Sequence, residues 1–195
     1  MLAPANVRAI LAPAKERSVP VLKTDALPDF VEITPTAHIQ VAAHGWRAKC
    51  LQRLIRLDMP VPETVALPAG AVRAIAAGHQ VDVAAILGHF GLGRLISVRP
   101  SPFNPDWGGP ATILNIGMNA ARHAELAAQH GQQAADALYL RFVRAYATHV
   151  ARLDPDMFDP ASSPTEGLKD ALRSYEQELD EPFPQDATRQ LSEVL

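Results

Sequence analysis

Apolar and polar positions follow two patterns along this chain. Short apolar runs predict strands at Phe30–Ile33, Leu95–Val98 and Thr112–Ile116, and an extended segment at Val65–Leu67. Apolar residues that recur at helical spacing predict helices at Gly45–Leu57, Ala69–Ala77, Val81–Phe90, Gln132–Arg152 and Pro164–Leu179. This mixture of short strands and helices predicts an α+β fold.

The first predicted helix has an apolar face and a basic remainder. The apolar face comprises Trp46, Cys50, Leu51, Leu54 and Ile55. Because Cys50 lies on that face and is the single cysteine, we expect a small core side chain rather than a reactive thiol. The prolines in Met59-Pro60-Val61-Pro62 must end the helix, since they lack a backbone donor.

Composition narrows the class of protein. The chain has 195 residues, 48% hydrophobic and 20% charged, and is long enough to bury about 70% of the surface that its unfolded form exposes. Its net charge of -3 gives no broad electrostatic case for nucleic acid or an anionic membrane. We find no apolar run of the roughly 20 residues needed to cross a bilayer and no secretory signal, so we expect a cytoplasmic protein.

The chain divides into an arm and a domain by composition. Residues 1–28 interleave alanine and proline with charge, which predicts an extended arm. Residues 29–195 carry the predicted strands and helices, with a helical part at about 119–195. The seven histidines are scattered and form no evident pair with a carboxylate, so we expect neither a catalytic residue nor a metal site.

The stretch Leu95–Asn119, LISVRPSPFNPDWGGPATILNIGMN, carries the candidate chemistry. Arg99 follows a predicted strand and could offer a forked, permanently charged group to phosphate oxygens. Gly108 and Gly109 would let backbone amides approach a ligand closely. The alternative is an ordinary surface loop with a solvated arginine.

The same stretch resembles the N-terminal nucleotide-binding region of pyruvate, phosphate dikinase. The shared motifs are SVR at Ser97–Arg99, TILNIGMN at Thr112–Asn119, the GGKGANL-like GWRAKCL at Gly45–Leu51 with LDMPVP at Leu57–Pro62, and FPQD at Phe183–Asp186 followed by Gln190-Leu191. They occur in the family's order. The resemblance implies the first lobe of an ATP-grasp-type fold with a helical subdomain.

The resemblance also implies a set of ligand contacts. Arg99 matches the family's phosphate-binding arginine, and Arg47 takes the place of the lysine that contacts ATP phosphates. Thr112 remains as a polar group at the site, although Thr112 and Asn115 could equally be strand-end hydrogen bonders. Departures from the family pattern are Trp46 and Ala48 in place of glycines, Pro100 in place of serine, and Ala111 in place of an aspartate.

The resemblance implies that this chain is the nucleotide-binding part of a phosphotransferase, that is, of a kinase. ATP or another phosphorylated small molecule is the expected ligand, and magnesium is expected only if a partner completes the site. The family's magnesium-holding, phosphohistidine and pyruvate-binding parts follow the FPQDP region, so the dikinase reaction is not expected from these residues alone. Two alternatives remain open: an interaction or structural protein with a vestigial site that self-associates as a homo-oligomer or binds a partner, and one half of a split enzyme whose second lobe is a separate protein.

Overall fold

The computed structural model describes residues 30–91, 93–104, 106, 109–158 and 163–195. It has an α+β fold, as the pattern predicts. The arm predicted at 1–28 and the candidate Gly108 lie outside the described residues. The elements in chain order are β1 Val31–Glu32, α1 Val41–Arg56, β2 Val65–Ala66, α2 Ala69–Ala76, α3 Val83–Phe90, β3 Ile96–Val98, β4 Ile113–Ile116, α4 Ala120–His130, α5 Gln132–His149, a 3₁₀ turn Pro155–Met157, α6 Pro164–Leu179 and α7 Ala187–Val194.

The strands of the described residues form two small antiparallel sheets. β1 pairs with β2, and β3 pairs with β4 in a register that sets Val98 opposite Ile113 and Ile96 opposite Ile116. Unequal spacing between these two pairs marks an irregularity in β4, where Asn115 has a positive φ of 64°. The Asn115 side chain donates to the Leu138 carbonyl, 3.2 Å away, so it serves as a strand-end hydrogen bonder.

The main core lies where α5 packs against α4, α6 and β4. Phe183 is at its centre, with ring contacts to Tyr139, Phe142, Tyr146 and Tyr175. Aromatic rings attract one another in such edge-to-face arrangements. A second, smaller core joins β1, β2 and α1 through Ile33, Ile39, Ala48 and Ala66.

Helix α1 differs from its prediction in where it begins and which face is buried. It begins at Val41, and its backbone breaks at Gly45, with φ 76° and ψ 174°. The regular part therefore begins at Trp46, one residue from the predicted start.

In α1, Ala48 and Gln52 are buried, and of the predicted apolar face only Leu51 and Ile55 pack against the second core. Trp46, Cys50 and Leu54 are exposed, so the core role expected for Cys50 is wrong. The reason is that Gln52, although polar, donates from its amide to the carbonyls of Thr34 and Ala37 and anchors the loop that leads into α1. The satisfied amide tolerates full burial.

The other elements follow their predictions within a few residues, and α6 has its predicted bounds. Helices α4 and α7 were not individually predicted. Within the described ranges, no helix combines the length and the apolar character required to cross a membrane.

Candidate functional site

The candidate site lies where the loop after β3 meets the break in α1. The contact is between backbones: a Cβ added at Gly45 would lie 1.6 Å from the Ser101 carbonyl oxygen. Any side chain at this position would collide with the loop, so glycine is required twice, by its positive φ and by this close approach. The GWR segment and the loop that follows SVR, distant in sequence, are thus held in direct contact.

Two hydrogen bonds fix this junction. The Trp46 N–H donates to the Pro102 carbonyl at 3.0 Å, and the Ala48 N–H donates to Ser101 Oγ at 3.1 Å. Ser101 therefore acts as an N-capping hydroxyl for the regular part of α1, although it lies 53 residues away in the chain. The sequence contained a signal for this role, because serine is a capping residue and Ser101 lies in the loop that carries Arg99. The distant partner could not be identified from sequence.

Arg47 and Arg99 lie in the two segments that meet at this junction. Both side chains are exposed, and neither forms an ion pair with any residue that the structure describes. Arg47 lies two residues after Gly45, and Arg99 lies two residues before Ser101. Two exposed arginines that form no ion pair within the described residues thus lie within two residues of the Gly45–Ser101 contact, an arrangement that suits an anionic ligand.

The start of β4 forms the third side of the site. Arg99 and Thr112 are the next residues beyond the Val98–Ile113 pair, so the β3–β4 register sets them opposite each other. Thr112 is half-buried, and Gly109 is exposed with a positive φ of 58°. The hairpin therefore brings Thr112 and Gly109 to the end of the sheet that carries Arg99.

The other cations of α1 have different contacts. Lys49 Nζ donates to the Ile39 carbonyl at 2.8 Å and to Gln52 Oε1 at 2.9 Å. Arg56 Nε donates to the Pro35 carbonyl at 2.7 Å, and the guanidinium of Arg53 lies 5.9 Å from the centre of the Trp46 ring. Of the α1 cations, Arg47 is the one without such a contact among the described residues.

The remaining two motifs, TILNIGMN and FPQD with Gln190-Leu191, are joined by hydrogen bonds. We call this group of hydrogen bonds the clasp. Gln190 is fully buried; its Oε1 accepts from the Gly117 N–H at 2.7 Å, and its Nε2 donates to the carbonyls of Met118 and Pro184. Gln185 Oε1 accepts from the Ala120 N–H at 2.8 Å. The TILNIGMN and FPQD segments are therefore joined to each other, and their shared role is to fix β4 and the start of α4.

Two histidines pair with carboxylates, contrary to expectation: His89 Nε2 lies 3.5 Å from Glu63 Oε1, and His123 pairs with Asp136. His123 Nε2 lies 2.7 Å from Asp136 Oδ1, while Thr165 donates to Oδ2 and Gln132 donates to Oδ1. Burial raises the pKa of Asp136, but the hydrogen bonds from Thr165, His123 and Gln132 lower it by more, so the pKa lies below its usual value.

The geometry around Asp136 is that of a structural tie. The hydroxyl of Thr165 bonds the carboxylate and not the imidazole, so the order of groups differs from that of a nucleophile, base and orienting acid. Asp136 is 1% exposed and joins α4, α5 and α6. We assign these residues no catalytic role.

A surface cavity of about 310 Å³ lies elsewhere, between α5 and the start of α6. It is lined by Ala137, Leu140, Arg141, Arg144 and Pro164 and includes none of the predicted site residues. Among the residues that the structure describes, no group of three His, Cys, Asp or Glu side chains could hold a metal ion.

Comparison with known proteins gives no family assignment. No family model matches the chain, and no curated protein matches it.

Proposed function

We propose that this chain is a diverged nucleotide-binding domain of the pyruvate, phosphate dikinase type, built as the first lobe of an ATP-grasp-type fold. Its ligand is ATP or another phosphorylated small molecule. The observation that supports the proposal is the Gly45–Ser101 contact, which joins the segments that carry two exposed arginines, Arg47 and Arg99, neither of them in an ion pair with a described residue. The cytoplasm, where ATP is abundant, is the compartment that suits this function.

The phosphates are bound by side chains more than by helix amides. Two of the first three N–H groups of the regular part of α1, those of Trp46 and Ala48, are already bonded to the loop after β3. An anion at this helix end therefore depends on Arg99 and Arg47, whose planar, five-donor groups bind phosphate oxygens in pairs. Thr112 and the backbone around Gly108 and Gly109 complete the proposed contact set.

Catalysis requires more than these residues. Phosphoryl transfer depends on metal ions that bridge the phosphates and neutralise their charge. In our proposal magnesium enters with a second-lobe partner, and this chain by itself binds nucleotide without carrying out the dikinase reaction.

Isothermal titration calorimetry with ATP, pyrophosphate and adenosine tests the proposal. We expect ATP and pyrophosphate to bind and adenosine not to bind, because the recognised group is the phosphate. Arg99→Ala should weaken ATP binding by about tenfold or more, the effect of losing one charge-assisted contact of roughly 1.5–3 kcal/mol. Absence of saturable heat at millimolar ATP would overturn the proposal.

Arg173→Ala is the matched control. It removes the same charge from α6, and its ion pair with Asp170 joins two exposed side chains, a kind of contact that contributes little to stability. An equal loss of ATP affinity in both variants would show that net charge, not the site, determines binding.

A specific observation also favours the second candidate, an interaction protein with a vestigial site. Ser101 and Pro102 occupy amides that a phosphate would otherwise use. This candidate predicts that ATP leaves the melting temperature unchanged and that light scattering detects a self-associated or partner-bound species.

A further inference from the structure

The outward side of α1 carries a row of exposed apolar side chains. Trp46, Cys50, Leu54 and Leu57 are spaced by four, four and three residues, which places them within about 80° around the helix axis. Their exposure is high for apolar groups: Leu57 is 71% exposed, Leu54 is 40% exposed and Trp46 is 37% exposed. We call these four residues the outer stripe.

The apolar exposure is confined to one half of the described chain. The exposed large hydrophobic side chains there are Trp46, Leu54, Leu57, Met59, Val72 and Phe103. All of them lie in residues 46–103, whereas the described residues of α4–α7 bury or half-bury their large apolar groups. Exposed apolar side chains mark an interaction site when they cluster, and the four residues of the outer stripe lie on one side of α1.

Charge around the outer stripe has one sign. Helix α1 carries Arg47, Lys49, Arg53 and Arg56 and no acidic residue. Arg53 lies within the stripe itself, over the Trp46 ring. A partner that covers the stripe must therefore present carboxylates beside its apolar groups.

A second copy of this chain does not supply that combination. Its own outer stripe is apolar but equally basic, so the two stripes would repel one another. Its acidic surface lies on α6, where Asp170, Glu176 and Glu178 are exposed, but the apolar residues of α6 face the core. Within the described residues, the apolar and the acidic groups that such a partner needs lie on different helices, α1 and α6.

The width of the outer stripe indicates whether its partner is a helix or a membrane. A helix that lies in a lipid interface presents a broad apolar face, while a narrow row at alternating spacings of three and four suits side-by-side contact with one other helix. The guanidinium of Arg53 within the row also disfavours insertion among lipid chains.

We propose that the outer stripe of α1 docks an acidic amphipathic helix of a different protein. The apolar row of that helix packs along Cys50, Leu54 and Leu57, while its flanking carboxylates pair with Arg53. Trp46 and Arg53 supply the side-chain types that contribute most to binding at such interfaces. The inference goes beyond the proposed nucleotide site and does not depend on it.

The experiment titrates the full chain with a synthetic helical peptide that has leucine at the a and d positions of three heptads and glutamate at the flanking positions. A Trp107→Phe background leaves Trp46 as the fluorescent reporter. We expect a saturable blue shift of Trp46 emission, weakened by added salt because the charges attract. A peptide with lysine in place of glutamate should bind at least tenfold more weakly.

Two pairs of variants make the test specific. Leu57→Ser should weaken peptide binding about tenfold, while Val72→Ser, a change at a 51% exposed residue on α2, should leave it unchanged. Both positions are exposed, so circular dichroism should show the same folded content for each. Leu57→Ser should retain ATP binding and Arg99→Ala should retain peptide binding, which separates this proposal from the nucleotide site.

Three results would overturn the proposal. The first is no saturable peptide binding, or equal binding of the glutamate and lysine peptides. The second is binding of the wild-type chain, but not of Leu57→Ser, to phosphatidylserine vesicles in place of the peptide. The third is self-association, seen by light scattering, that Leu57→Ser abolishes.

Discussion

Replacing Gly45 with alanine tests the contact on which the candidate site depends. The new Cβ would meet the Ser101 carbonyl oxygen at 1.6 Å, far inside any permitted separation, and the backbone at φ 76° and ψ 174° is accessible almost exclusively to glycine. The loop after β3 must then move away from α1. Arg99, two residues before Ser101, should move with the loop. Its separation from Arg47 should therefore increase.

The magnitude follows from what is lost. The bonds from Trp46 N–H to Pro102 and from Ala48 N–H to Ser101 Oγ contribute about 1 kcal/mol each. Backbone strain for a residue with a Cβ adds about 1–3 kcal/mol. We therefore expect Gly45→Ala to lower the free energy of unfolding by about 3–5 kcal/mol, which for a chain of this length lowers the melting temperature by roughly 10 °C.

Urea and thermal unfolding followed by circular dichroism measure this effect. Gly70→Ala is the control, because Gly70 lies in α2 with nothing within 4 Å of its added Cβ. There the same substitution should stabilise the protein by about 0.5–1 kcal/mol through helix propensity. Ser101→Ala removes the capping hydroxyl alone and should cost about 1 kcal/mol. If Gly45→Ala were as stable as the wild type, the contact between α1 and the loop would not exist as described.

Two further predictions concern the helical part. Gln190→Leu should lower the free energy of unfolding in urea by about 3–5 kcal/mol, because it leaves the buried Gly117 N–H and the carbonyls of Met118 and Pro184 without their partner; a loss below 1 kcal/mol would contradict the clasp. The depressed pKa of Asp136 means that its ionised form stabilises the fold at pH above about 4, its unfolded value, and that this contribution is lost as pH falls through the lower folded value. Asp136→Asn should flatten the acid limb of stability against pH, and an unchanged slope would refute the assignment.

The local pattern of apolar and polar residues was sufficient to predict most helices and strands and to place the motifs in order along the chain. Pro164 at the start of α6, with leucine and tyrosine at helical spacing, predicts that helix because the signals are all within one segment. The β3–β4 hairpin is also predictable from two apolar runs. Arg99 is a candidate because it follows the predicted strand Leu95–Val98, whereas Thr112, the first residue of the predicted strand Thr112–Ile116, is a candidate through the resemblance; both remain predictions.

Non-local contacts account for the errors. In α1 the sequence predicts burial of Cys50 and exposure of the opposite side, but Gln52 and Ala48 face the core. The difference arises because the loop at 34–39 supplies carbonyls for the Gln52 amide, and no pattern within α1 contains that information. His123 and Asp136 similarly lie on different helices, so their pairing depends on how α4 and α5 pack.

The amino-acid sequence by itself determined the helices, the strands and the two arginines as candidate groups, because each depends on neighbours within a few positions. The tertiary structure alone decided that Gly45 touches Ser101, that Gln190 joins β4 to the C-terminal helices, and that the outer stripe of α1 faces solvent. Those facts depend on which distant segments meet, and that is set by packing of the whole chain rather than by local preference.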